Sequence, residues 1–257
     1  MIKKLCVMKN ESVSFYRYIP NAITCLNLFC GCLSVVFSFD GMLTVAACFI
    51  FAAAVFDFFD GFAARWLHAY SEMGKELDSL ADMVSFGVAP SCILFILLLH
   101  AAENYGWLVD TCSGGWWIAM TSFLVAVFSA LRLAKFNIDT RQSESFIGLP
   151  TPANALFICS FVFLSSSKYA WAIFTGNLFF LLSVTVVFSY LLVAELPLFS
   201  LKFKSFDWKN NKIRYVFIAV AAVIFLFLQF AGLAVVILVY ILISVFTNFL
   251  CNRKVST

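Results

Sequence analysis

Of the 257 residues, 63% are apolar and 12% charged, 32 are phenylalanine, and the formal net charge is +3. That balance excludes a water-soluble domain, which needs a charged surface, and no nucleic-acid partner is expected. Apolar runs of eighteen or more residues can cross a hydrocarbon core about 30 Å thick, so an all-α, polytopic transmembrane bundle is expected.

Met1 to Arg17 is polar and basic and precedes a full span, so it reads as a cytoplasmic segment and not as a cleavable signal peptide. Eight helices are predicted, at 22–40, 42–65, 77–100, 116–136, 150–167, 173–196, 213–230 and 232–250. Asp40-Gly41 and Ala231-Gly232 suggest tight helical hairpins, while Pro150 and Pro152 suit the start of the fifth helix. With this number of spans, sixteen of the seventeen Lys and Arg fall on or near one side, Lys168 being the exception. Asp40, Glu103 and Asp110 lie on the other side, so the positive-inside rule places both termini in the cytoplasm. The basic cluster Lys202, Lys204, Lys209, Lys212 and Arg214 is a topological anchor or an attractor of anionic lipid. The nine Cys lack paired spacing and read as packing residues; only Cys112 falls in an extracytoplasmic loop, so no disulfide framework is expected.

Four aspartates interrupt the apolar text around the second and third helices: Asp57, Asp60, Asp78 and Asp82. Lipid cannot solvate a carboxylate, so acids at such positions face a polar cavity or a partner. The three-residue and four-residue spacings put each pair on one helical face. The short connection from Arg65 to Gly74 makes the two helices antiparallel, so all four carboxylates can meet in one cavity near the cytoplasmic surface. Their mutual repulsion calls for cations or retained protons. All-oxygen ligation suits Mg²⁺ or Mn²⁺, and two ions about 4 Å apart could clamp a diphosphate during in-line displacement. Gly61 and Gly74 allow close approach of a substrate or backbone. The bland alternative is that the acids are helix-end charges, with Arg65 pairing Asp57 or Asp60.

Asp57, Asp60, Gly61, Ala64, Arg65, Gly74, Asp78 and Asp82 occupy every fixed position of D-x2-D-G-x2-A-R-x8-G-x3-D-x3-D. In this the chain resembles the CDP-alcohol phosphatidyltransferases. The resemblance implies transfer of a substituted phosphoryl group from a CDP-linked donor to an alcohol, with release of CMP. It further implies that Asp57, Asp60 and Asp78 hold the metals and that Asp82 is the base and a metal neighbour. By the same resemblance Asn21, Thr24, Asp60, Gly61, Ala64, Arg65, Gly74 and Asp78 bind the CDP-linked donor, and the protein is a homodimer. The six-helix core of the family would cover 22–200. Residues 1–21 would be a juxtamembrane segment, and 201–257 a basic loop, two further helices and a tail.

Three segments resemble the serine-transferring branch of that family. Asn21, Thr24 and Asn27 recur every three residues in Pro20 to Gly31 and could show hydrogen-bonding groups to the cavity, or serve as a cap and as interhelical packing. Ser129 to Asn137 contains Arg132 and Lys135, which could bind donor phosphate or the acceptor carboxylate; Lys135 stands where arginine is common in that branch. Snorkelling at the interface is the alternative for both. Phe146 to Ala153 resembles the Gly-Leu-Pro-x-Pro-Ala start of the fifth helix, whose role can be rigidity alone. The expected reaction is therefore attack of L-serine on CDP-diacylglycerol at a cell-membrane site facing the cytoplasm. Glycerol 3-phosphate or inositol remains as an alternative acceptor. A divalent-cation transporter is the alternative of a different class, although the far half of the chain offers no matching acidic exit; a noncatalytic lipid-binding scaffold would not need the full carboxylate set.

Overall fold

Apolar runs free of internal breakers form long helices here, and the short polar breaks between them are where the chain reverses. In this computed structural model residues 18–138, 146–165, 172–198 and 208–255 are described. Pro20 occupies the first turn of α1 (Ile19–Phe39), where its missing N–H is not needed. The Asp40-Gly41 turn sends the chain back into α2 (Leu43–Trp66), and Phe37 stacks on Phe49 with ring centroids 5.4 Å apart.

The third helix starts at Glu72 and not at 77 as predicted. Its first turn is polar and lies outside the apolar run, and it is fixed by Ser71, whose Oγ accepts from Gly74 N at 2.9 Å. From α3 (Glu72–Asp82) the chain passes through a π-helical turn (Met83–Val88) into α4 (Ala89–Asn104) without a break. A loop leads to α5 (Gly114–Met120), a 3₁₀ turn and α6 (Leu124–Ile138), together one span. Then follow α7 (Thr151–Ser165), one turn of helix α8 (Ala172–Thr175) and α9 (Leu178–Val193). The predicted helix at 173–196 is thus divided, because Asn177 caps α9 by accepting from Phe180 N at 3.0 Å.

The one sheet among the described residues is an antiparallel pair, β1 (Phe146–Ile147) with β2 (Pro197–Leu198). It straps the chain ahead of α7 to the end of α9. Gly148 N donates to Leu196 O at 3.0 Å and Leu149 N to Leu191 O at 2.9 Å. Gly148 has φ +78°, and a Cβ there would lie 2.5 Å from Leu192 O, so only glycine fits.

The last two helices, α10 (Trp208–Leu228) and α11 (Leu233–Val255), form the predicted hairpin. It turns at Gln229–Gly232, where Gln229 takes φ +51°, and the rings of Phe217 and Tyr240 meet at 5.8 Å across it. At the hairpin's tip Phe230 inserts between Phe51 of α2 and Phe163 of α7, at 5.2 and 5.1 Å. Of the predicted basic cluster, Lys202 and Lys204 lie outside the described residues.

Ile50, Phe86, Ile93, Leu94, Leu98, Ile158 and Leu181 form the buried centre. Phe58, Trp66, Val186, Leu226 and Phe246 point outward from the bundle. An interior and an exterior that are both apolar mark a bundle solvated by lipid. Ile19–Phe39, Leu43–Trp66, Glu72–Asn104 and Gly114–Ile138 are each long and apolar enough to cross a membrane, and the apolar stretch Arg214–Thr247 is divided between α10 and α11, helices of 21 and 23 residues. The expected polytopic all-α bundle is the architecture observed. Cys112 and the other described cysteines are unpaired thiols.

Candidate active site

Because α2 and α3 run antiparallel, their aspartates meet at the end of the bundle where α1 begins. Carboxylate oxygens of Asp57, Asp60 and Asp78 lie within 4.8 Å of one another, with Asp60 buried and the other two half-buried. A hard divalent ion with metal–oxygen bonds of about 2.1 Å spaces its ligand oxygens by up to about 4.2 Å, so small side-chain rotations close this set on a cation. Asp60 Oδ2 and Asp78 Oδ1 are buried with no hydrogen-bond partner, as ligand oxygens awaiting a cation would be. The aspartate triad therefore fits a metal, as the spacing implied.

Asp82 stands one turn beyond the triad, half-buried on the same helix as Asp78. Its Oδ1 accepts from Asn27 Nδ2 at 3.5 Å. Asn27 is itself fully buried, and its carbonyl O accepts from Ser85 Oγ at 3.0 Å. Ser85 belongs to the π-helical turn, whose extra residue per turn lets it press against α1. Gly31 makes that contact possible: a Cβ there would come 2.4 Å from Ser85 Oγ and 2.8 Å from its Cα.

Beside the triad, a cleft between α1, α2 and the start of α3 is lined by Asn21, Thr24, Asp60, Gly61, Ala64, Arg65, Gly74 and Asp78. These are all the residues that the sequence assigned to the donor. Gly61 opens freely into it, since a Cβ there would meet nothing within 4 Å. Gly74 does more than leave room. A Cβ on it would lie 2.9 Å from both Asn21 Oδ1 and Ser71 Oγ, so it lets α1 close on the cap of α3.

Pro20, Ala69, Tyr70, Ser71 and Lys75 also line the cleft and escaped the sequence reading. Ser71 alone had a signal, as an N-cap residue before an acidic first turn. The cap opens the N-terminus of α3 onto the cleft, where its partial positive charge favours phosphate. Lys75 reaches across to Asn137 O at 3.5 Å, and Asn137 Nδ2 donates to Ser79 Oγ at 2.9 Å, which ties the end of α6 to α3.

The two basic residues of α6 part company. Arg132 is 8% exposed, lies over the Phe136 ring at 5.7 Å and has a buried, unpaired Nε. Lys135 is exposed and pairs with Glu195 at 3.1 Å, joining α6 to the segment after α9.

Residues 17–188 match the family of CDP-alcohol phosphatidyltransferases. A CDP-diacylglycerol–serine O-phosphatidyltransferase of Bacillus subtilis is 38% identical over 180 residues, covering 70% of this chain and 89% of that protein. One from Helicobacter pylori is 34% identical over 179 residues, 69% of this chain and 70% of the relative. An archaetidylserine synthase of Methanothermobacter thermautotrophicus is 32% identical over 160 residues, 60% of this chain and 62% of that protein. With its signature intact, its aspartates assembled and the match running through most of its length, the chain belongs to the CDP-alcohol phosphatidyltransferase family.

Proposed function

We propose that the protein transfers the phosphatidyl group of CDP-diacylglycerol to the hydroxyl of L-serine, giving phosphatidylserine and CMP. The observation that carries this reading is the cleft that joins the aspartate triad to all eight donor-assigned residues. Serine as acceptor is supported by the relatives, since both the bacterial and the archaeal names specify serine while differing in the lipid.

The nucleotide occupies the cleft, with its diphosphate between the α3 N-terminus, Arg65 and the triad. The diacylglycerol tails stay in the bilayer. Asp57, Asp60 and Asp78 would hold Mg²⁺ or Mn²⁺, as two ions when Asp82 also contributes. Such an ion supplies charge neutralisation at the diphosphate and at the leaving oxygen. The serine hydroxyl oxygen forms the new bond to the lipid-bearing phosphorus, the bond from that phosphorus to the CMP oxygen breaks, and CMP leaves with the electron pair. Asp82 accepts the hydroxyl proton, held towards the reacting centre by Asn27.

The site and both termini face the cytoplasmic side of the cell membrane, a reading supported by the positive-inside pattern and by the solubility of serine and CMP there. Residues 22–200 make the catalytic core, 1–21 lead into it, and 201–257 add the terminal hairpin. The working unit is a homodimer, a reading that the family resemblance supports and that light scattering of the protein–detergent complex tests.

The decisive assay supplies purified protein with CDP-diacylglycerol, Mg²⁺ or Mn²⁺, and serine, glycerol 3-phosphate or inositol. CMP release with serine alone is the expected result. Release with another alcohol but not with serine would overturn the acceptor and leave the family untouched.

A further inference from the structure

Buried hydroxyls in this bundle commonly bond the carbonyl one turn back, as Ser91 does to Gly87 O at 2.7 Å and Thr185 to Leu181 O at 2.8 Å. The first turn of α7 departs from that pattern. Thr151 and Asn154 are 0% exposed, yet Thr151 Oγ1 and both Asn154 Oδ1 and Nδ2 have no hydrogen-bond partner. Burial without a partner carries a desolvation penalty, so these atoms call for a polar occupant.

Helical periodicity shows where they look. Thr151, Asn154, Ile158, Val162 and Ser165 share one face of α7. At the far end that face meets α4, because Val162 and Ser165 line a cavity with Leu97, His100 and Ala101. Both helices run from the aspartate end towards the far end, so Thr151 and Asn154 stand level with the π-helical turn that follows Asp82. From the other side α6 reaches the same turn: a Cβ on Gly87 would lie 3.1 Å from Ser129 Cβ. Ser129 Oγ is buried and unpaired, and one turn further on is Arg132 with its unpaired Nε. Unsatisfied polar groups from α6 and α7 thus both border the π-helical turn that follows Asp82, and none of them lines the donor cleft.

We infer that Thr151 and Asn154 bind the acceptor alcohol and read the ammonium and carboxylate that serine carries beside its hydroxyl. The inference rests on the acceptor proposed above. An asparagine amide is suited to a zwitterion, since Oδ1 accepts from the ammonium and Nδ2 donates to the carboxylate. Arg132 completes the carboxylate contact with a charge-assisted bond. Neutral side chains make this distinction without adding charge to a site already holding four carboxylates. Inositol and glycerol 3-phosphate have no ammonium and can offer Oδ1 only an uncharged hydroxyl, a weaker donor.

The test uses the full-length protein as wild type, Asn154→Leu, Asn154→Ala and Thr151→Val, with Michaelis constants measured separately for serine and for CDP-diacylglycerol. Asn154→Leu should raise the serine KM by about 10-fold or more and leave the donor KM within about 2-fold, because a site built to bond a polar group discriminates strongly. Its preference for serine over 3-hydroxypropanoate, which lacks the ammonium, should fall by a similar factor. Unfolding temperatures should not drop, since no internal hydrogen bond is lost. An unchanged serine KM, or serine and donor constants rising together, overturns the inference. Asn154→Ala and Thr151→Val decide the matter if Asn154→Leu does not fold. Should the wild type use another alcohol and not serine, the acceptor proposal fails separately. The same KM split measured with that alcohol then upholds or removes acceptor binding by α7.

Discussion

Asp60 and Asp82 belong to the same run of four aspartates, yet their surroundings assign them different work. Asp60 is a buried member of the triad and lines the donor cleft, whereas Asp82 is held from behind by Asn27. Asp60→Asn should raise both the donor KM and the Mn²⁺ concentration needed for half activity. Asp82→Asn should leave donor binding measurable and lower single-turnover rates by about 10²–10⁴-fold, the range for loss of a positioned base. Near-normal single-turnover chemistry in Asp82→Asn would return the proton to another carboxylate or to the donor phosphate. Lys135 gives a contrasting case. Its pair with Glu195 is exposed on both sides, so Lys135→Ala should change stability by no more than about 1 kcal/mol. If that lysine serves only as an interhelical tie, the serine KM will stay within about 2-fold of wild type, whereas loss of an acceptor contact would raise it.

At the scale of the element, the contact between α1 and the π-helical turn sets the aspartates against each other. Gly31→Ala would drive a methyl into Ser85, and because the obstruction includes the Ser85 backbone, Ser85→Ala cannot relieve it. The expected cost is about 1–3 kcal/mol, read as a lower unfolding temperature in detergent for both the single and the double variant. No periodicity announces this element. Met83–Val88 lies within a long apolar run, and a single wide turn shifts the helical phase without altering composition.

The aspartates were legible for the opposite reason: carboxylates at helical spacing in apolar text have few roles other than a shared cavity. The hairpins at Asp40-Gly41 and Ala231-Gly232 could be read because the breaks are polar or glycine-bearing. Gly176-Asn177 carries the same kind of signal, but apolar residues flank it on both sides, so the pattern reads α8 and α9 as one helix. Thr151 and Asn154 were hidden by context, since small polar residues beside Pro150 and Pro152 read as a helix start. Only burial without partners sets them apart.

For the whole molecule, the division of labour follows the axis of the bundle. The donor cleft and the triad are built from α1, α2 and α3, while the terminal hairpin reaches α2 and α7 through Phe230 towards the far end. Truncation after Leu201 should therefore lower the unfolding temperature, yet leave the donor KM of the surviving protein within about 3-fold, as expected for distant and weakly coupled regions. Loss of the dimer in the same variant, seen by light scattering, would place the hairpin at the subunit interface. One dimension of the bundle reaches beyond the protein itself. Capped by Asn177 and ended by an extended Ala194, α9 has 16 residues, which is about 24 Å of helix set in a hydrocarbon layer of about 30 Å. A span that short is met by thinning of the surrounding lipid or by packing against a neighbour on that flank, and the strand pair β1–β2 satisfies backbone groups at its end. The enzyme is thereby made a gauge of its own solvent: in proteoliposomes of rising acyl length, turnover should fall as the bilayer outgrows α9, so the thickness of the membrane feeds back on the rate at which its lipid is made.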